Sequence, residues 1–219
     1  MSGTGVLTCR AVKSGIEPSG PALNACLVNQ DWNLCRPQQL EDILQATEAA
    51  GFGMGSDPLT GSLLRVLAAS KPGAHFLELG TGTGIGTAWL LSGMDAESSL
   101  DTVDNDPAVV SIARRFLGHD SRVRFHVGDG AAFLAQLVGR HFDFIFADTW
   151  PGKYDHLDDA LRLLRSGGIY IADDLLPVPS WPEGHAAKVP RFLEALQQRS
   201  DLHITRLSWS TGLVIATRR

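Results

Sequence analysis

A chain of 219 residues is long enough for one sizeable domain and short for two. Hydrophobic residues make up 44% and charged residues 20%, ordinary for a soluble globular protein, and the net charge of -5 repels polyanions, so no nucleic acid partner is expected. No apolar run approaches the roughly 18 residues that span a bilayer, and no basic stretch followed by an apolar core opens the chain, so neither a membrane span nor a secretory signal is expected. Cys9, Cys26 and Cys35 are odd in number and none sits in a C-x-x-C pair, which predicts free thiols in a reducing cytoplasm rather than a zinc site.

Residues 1–21 are rich in Gly, Ser and Thr and predict a loosely held tail. A short helix or turn is expected over Cys26–Trp32, a helix after Pro37 to Ala50, and a second helix over Leu59–Ala69. This N-terminal part, 1–54, is expected to pack on a main domain of residues 55–219, and its apolar helices suit a homodimer contact. Beyond Lys71-Pro72-Gly73 the pattern alternates. Strands are predicted at His75–Leu79, Leu100–Asp104, Val123–Val127, Phe142–Ala147 and Ile169–Ala172, with helices at Ile85–Leu91, Pro107–Phe116, Ala131–Leu137 and Tyr154–Leu164. Such alternation implies an α/β fold, a doubly wound, mostly parallel sheet with helices on both faces. A helix over Val189–Arg199 precedes two strands, His203–Trp209 and Leu213–Thr217. The three residues between these strands leave no room for a crossover helix, so they must form an antiparallel hairpin.

The chain is organised around Phe76-Leu-Glu-Leu-Gly-Thr-Gly-Thr-Gly-Ile-Gly86, a strand, a glycine-rich turn and a helix start. Neither register of the glycines satisfies G-x-G-x-x-G, and no Gly-Lys-Ser/Thr closes the turn, which disfavours a dinucleotide and a P-loop. A tight turn with no ligand is the plain alternative. In an open α/β sheet, ligands bind beyond the carboxyl ends of the strands. There stand Glu78, Asp104 with Asn105 about 20 residues beyond the loop, Asp129-Gly130-Ala131, Asp148, and Asp173-Asp174. Asp104 suits ribose hydroxyls or a helix cap, although Asp106 is the better cap by position, and Asp129 also suits a cap. Three acids converging at neighbouring strand ends repel one another unless protonated, paired or bound to a cation, and oxygen ligands suit Mg²⁺ or another hard divalent ion.

The motif Glu78-x-Gly80-x-Gly82-x-Gly84 resembles the first motif of class I S-adenosylmethionine-dependent methyltransferases, and the likeness covers roughly residues 55–219. It implies a seven-stranded Rossmann-like sheet ending in the antiparallel hairpin. It also implies that Glu78, Gly80, Thr81, Gly82 and Gly84 hold the methionine end of the cofactor, Asp104 with Asn105 the ribose, and Asp129, Gly130 and Ala131 the adenine. The acids after the fourth and fifth strands are similar to those of the catechol and caffeoyl-coenzyme A O-methyltransferase group. That likeness implies a divalent cation on Asp148, Asp173 and Asp174, with Asp148 also near the cofactor, and methyl transfer to a small-molecule hydroxyl. Two positions depart from the group: Asp174 stands for its Asn, and Pro151 for its Lys, whereas Tyr154 matches. Lys153 lies two residues later, and a Pro-Gly turn can bring it back. A metal-free N- or O-methyltransferase using His185 or Lys153 as base, and an inactive cofactor-binding protein, are the alternatives. The proline-rich loop 175–185 is expected to roof the acceptor pocket, with Trp181 as a wall, and Met54 or Thr60 to reach the cofactor.

Overall fold

In the computed structural model, residues 36–179 and 181–219 are described; the expected tail, the expected Cys26–Trp32 turn and the three cysteines lie outside them. Helices α1 (Leu40–Ala49) and α2 (Pro58–Ala69) lead into β1 (His75–Leu79) and α3 (Ile85–Gly93). Then come β2 (Ser99–Asp104), α4 (Pro107–Leu117), β3 (Val123–Val127), α5 (Gly130–Gln136) and β4 (Phe142–Ala147). The chain closes with α6 (Leu157–Arg162), β5 (Leu164–Ala172), α7 (His185–Gln197), β6 (Leu202–Leu207) and β7 (Leu213–Arg218). The seven strands form one sheet in the order β3-β2-β1-β4-β5-β7-β6, with β7 antiparallel to both its neighbours and every other pair parallel. This is the expected Rossmann-like methyltransferase fold. Among the described residues no helix is long and apolar enough to cross a membrane.

The two faces of the sheet follow from the period of two along each strand. Leu77 and Leu79 of β1, Ile145 and Ala147 of β4, and Tyr170 and Ala172 of β5 join one core with Phe133 of α5, Leu161 of α6 and Phe192 of α7. The alternate residues Phe76, Phe144, Phe146 and Ile171 join a second core with Trp89 of α3, Leu64 of α2, and Leu40 and Ile43 of α1. With both faces covered, the central strands are near-continuous apolar runs, and these were the most legible strands in the sequence. Glu78 shares the face of Phe76, so its carboxyl is driven into the second core.

Several boundaries differ from expectation, each for a local reason. The helix expected from Tyr154 begins at Leu157, because residues 150–155 fold into a turn in which the carbonyl of Trp150 accepts the amides of Lys153, Tyr154 and Asp155. β5 begins at Leu164 rather than Ile169, and a register shift opposite Phe142–Phe144 absorbs the Arg165-Ser-Gly-Gly168 stretch. α7 begins at His185 rather than Val189 and carries Pro190 inside it. The missing Pro190 donor is compensated by tertiary contacts at the helix start, where His185 and Val189 are buried.

The contact between α2 and α3 leaves no room for a side chain at Gly61, where a Cβ would lie 2.2 Å from Cδ1 of the buried Trp89. Gly61→Val should therefore lower stability by at least about 2 kcal/mol through overpacking. Urea denaturation checks this: the midpoint falls while the slope is kept.

Candidate active site

The strand order reverses between β1 and β4, which places their carboxyl ends side by side. The amide of Asp148 donates to the Leu79 carbonyl at 2.8 Å, and Gly80 packs so closely on Asp148 that a Cβ would lie 2.7 Å from its carbonyl oxygen. Gly80 also sits at φ 101°, Gly82 at 50° and Gly84 at 94°, a run of left-handed residues that glycine adopts without strain. The loop is tied on three sides. Asp104 accepts the Gly82 amide at 2.9 Å, Thr81 shares a 2.7 Å hydroxyl bond with Thr102, and Thr83 shares one of 2.7 Å with Thr47 of α1.

Beneath the loop lies Glu78, fully buried. Its Oε2 accepts hydroxyls from Thr87 at 2.5 Å and Thr102 at 2.7 Å, whereas Oε1 has no partner in the protein. Burial pushes this carboxyl up to about 7, and the two threonine bonds offset only part of that. The orphan oxygen is buried against Gly86, where a Cβ would stand 2.7 Å away.

A cavity of about 410 Å³ opens above these strand ends. Its lining includes Gly80, Thr81, Gly82, Asp104 and Asn105, together with Asp148, Trp150, Lys153, Asp173 and Asp174, and Trp181 and His185. The proline-rich loop thus contributes Val178, Trp181, Pro182 and His185 to the lining. Met54 reaches this cavity, whereas Thr60 is buried and does not. Asp106 is the cap of α4, as its position implied. Asp129 caps α5 through the Ala132 amide at 2.8 Å and lines a neighbouring hollow with His126 and Phe133. Gly130 packs against Pro151, and neither it nor Ala131 lines the main cavity. Glu78 lies below the cavity floor, and Tyr154 behind the wall made by His185, with its hydroxyl 2.8 Å from His185 Nε2.

The same His185 nitrogen lies 2.9 Å from the Asp174 carbonyl, and the Trp181 ring stacks on the imidazole at 4.4 Å. A carbonyl only accepts, so Nε2 carries a hydrogen. Tyr154 is raised by burial and then by the negative charges of Asp174, Asp148 and Asp173, so it stays a phenol. Asp148 is raised well above the usual carboxylate range by desolvation and by Asp173; Asp173 is raised to about 6 by burial and by Asp174. Ser56 and Thr211, which sequence reasoning missed, donate hydroxyls to Asp148 and Asp173. Both come from turns remote in sequence, with no motif to mark them.

Residues 77–175 match the family model described as a methyltransferase domain. Over these residues the chain is similar to a methyltransferase domain. It is 34% identical over 140 residues to a probable O-methyltransferase of Mycobacterium tuberculosis, an alignment covering 60% of this chain and 62% of that protein. The chain thus spans less than two thirds of the curated relatives it matches. In three dimensions it is similar to the O-methyltransferase TomG of tomaymycin synthesis from Streptomyces achromogenes, solved with S-adenosylmethionine (25% identity, TM-score 0.72, 90% of this chain and 94% of that one). An O-methyltransferase from Bacillus cereus, solved with S-adenosylhomocysteine, shares the fold at 24% identity with a TM-score of 0.76, over 90% of this chain and 97% of that one.

One oxygen each of Asp148 and Asp173 is engaged by neighbouring donors. Asp148 Oδ2 accepts from Ser56 at 2.9 Å, and Asp173 Oδ1 accepts both the Asp174 amide at 2.6 Å and the Thr211 hydroxyl. Among the described residues no three His, Cys, Asp or Glu side chains are grouped so that they could hold a metal ion.

Glu78 makes the stability of the domain depend on pH. Its folded value lies above its ordinary one, so the folded state holds the proton more tightly than the unfolded chain, and stability falls as pH rises from about 4.5 to about 7. The loss should be roughly 3 kcal/mol at most, and Glu78→Gln should remove it. Urea midpoints across that pH range, in both proteins, provide the measurement.

Proposed function

We propose that this chain transfers the methyl group of S-adenosylmethionine to a hydroxyl oxygen of a small molecule. The observation that carries this reading is a single cavity lined by two chemically different groups of residues, the glycine loop with Asp104 and Lys153 with the aspartates. The names of the relatives point to the same chemistry.

In this reading Asp104 accepts the ribose hydroxyls, with Asn105 beside it. A carboxylate has room for these bonds in addition to those from the Gly82 and Asp106 amides. Glu78 Oε1 faces the ammonium of the methionine end. Asp129, Gly130 and Ala131 lie outside the lining of this cavity, so no adenine contact is assigned to them. Bound S-adenosylmethionine supplies an electrophilic sulfonium methyl group. The protein's part is alignment of the acceptor and stabilisation of its oxyanion. Lys153 lines the cavity with the aspartates, and a nearby ammonium favours the ionised form of a hydroxyl. His185 Nε2 is held against the Asp174 carbonyl, which supports Lys153 over His185 as the group that meets the acceptor oxygen. Trp150 and Trp181 offer flat apolar walls, which suit an aromatic acceptor.

Calorimetric titration with S-adenosylhomocysteine tests the donor half. The wild type should bind, and Asp104→Ala should bind at least about tenfold more weakly, since hydrogen bonds to a charged acceptor contribute about 1.5–3 kcal/mol. Absence of binding to the wild type would remove the proposal. Transfer of label from S-adenosylmethionine to phenols and catechols, with EDTA present, tests the acceptor half.

A further inference from the structure

The side chain of Lys153 is only 2% exposed, although it lines the cavity. Burying a lone ammonium is expensive, and so is gathering three carboxylates. Here each offsets the other. Nζ donates to the Asp173 carbonyl at 3.1 Å, lies 5.0 Å from the centre of the Tyr154 ring, and its charge acts favourably on both Asp148 and Asp173. The placement is built into the backbone. Gly152 sits at φ 85°, and a Cβ there would lie 2.2 Å from Leu79 Cδ1. Its carbonyl accepts the buried Tyr170 hydroxyl at 2.7 Å, and its amide donates to the Asp155 carbonyl at 2.6 Å. The Pro151-Gly152 turn therefore delivers Lys153 to one place.

We propose that Lys153 is the resident cation of the Asp148–Asp173–Asp174 cluster: its ammonium, buried beside these carboxylates on the Asp173 carbonyl, compensates their charge in place of a divalent ion and holds the acceptor through one oxygen. The claim about charge stands on the cluster alone; the claim about the acceptor rests on the methyl-transfer reading above. Of the three donors on the ammonium, the Asp173 carbonyl engages one, and another is available to a ligand.

Mn²⁺ titration followed by electron paramagnetic resonance separates the two, because it needs no acceptor. The full-length wild type should show no Mn²⁺ site tighter than about 1 mM, the weak end of carboxylate cation sites. Lys153→Met leaves the carboxylates uncompensated and should bind Mn²⁺ at least about tenfold more tightly, with a matching rise in melting temperature on adding the ion. Lys153→Met combined with Asp173→Asn should lose that gain. A micromolar Mn²⁺ site in the wild type would overturn the proposal, as would a folded Lys153→Met with no gain. If circular dichroism shows Lys153→Met unfolded, Lys153→Gln replaces it under the same criteria. S-adenosylhomocysteine affinity, measured alongside, should change by less than about threefold, since Lys153 is not among the residues that hold the cofactor in that reading. Failure of the wild type to bind it would strike the methyl-transfer reading and leave the Mn²⁺ result to decide the role of Lys153.

Discussion

The close approach of Gly80 to the Asp148 carbonyl is the constraint on which the site depends. It exists because β1 pairs with β4 on one side and β2 on the other, so the chain after β1 must turn away from its neighbour at once. A side chain at Gly80 would separate the strand ends. The same turn sends the loop over Glu78 and into hydrogen-bond reach of Asp104, so the two acids act on opposite sides of one backbone segment. Glu78 is the less comfortable of the two: half of its carboxyl is satisfied by hydroxyls and half by nothing in the protein. A buried oxygen without a partner is rarely left so by folding alone, and its position under a glycine loop is consistent with a ligand completing it.

The aspartate cluster is governed by a different balance. Its carboxylates are raised because water is excluded and because they face one another. The chain answers with backbone amides, hydroxyls and one lysine. These partners are drawn from the end of β4, the end of β5, the segment before α2 and the β6–β7 turn. No single motif could announce such a set. The roof is held in the same distributed way, with His185 clasping Asp174 and Tyr154 while stacking on Trp181.

How much of this was legible in the sequence follows from which forces are local. The parallel strands were legible because burial on both faces writes them as short apolar runs, and the hairpin because three residues cannot carry a crossover. The glycine loop and Asp104 were legible because their spacing expresses a backbone conformation. The starts of α6 and α7 were not, because the Trp150 carbonyl turn and the clasp on His185 are set by tertiary contacts. Spacing located the carboxylates and pointed to the Pro-Gly turn before Lys153; the left-handed Gly152 is what that turn needs to bring Lys153 into the same cavity. Ser56 and Thr211 carried no signal at all.

The hydroxyl bond between Thr47 and Thr83 reaches further than its 2.7 Å suggests. Thr47 is itself anchored to the Ile43 carbonyl within α1, so the glycine loop and α1 share one hydrogen-bonded chain. Phe52, just beyond α1, adds its ring edge against Gly82. A ligand that rigidifies the loop is thereby linked to the local unfolding of α1, and part of its binding free energy appears as protection of amides some distance from any atom it touches. The N-terminal helix is in this sense a reporter of occupancy at the loop.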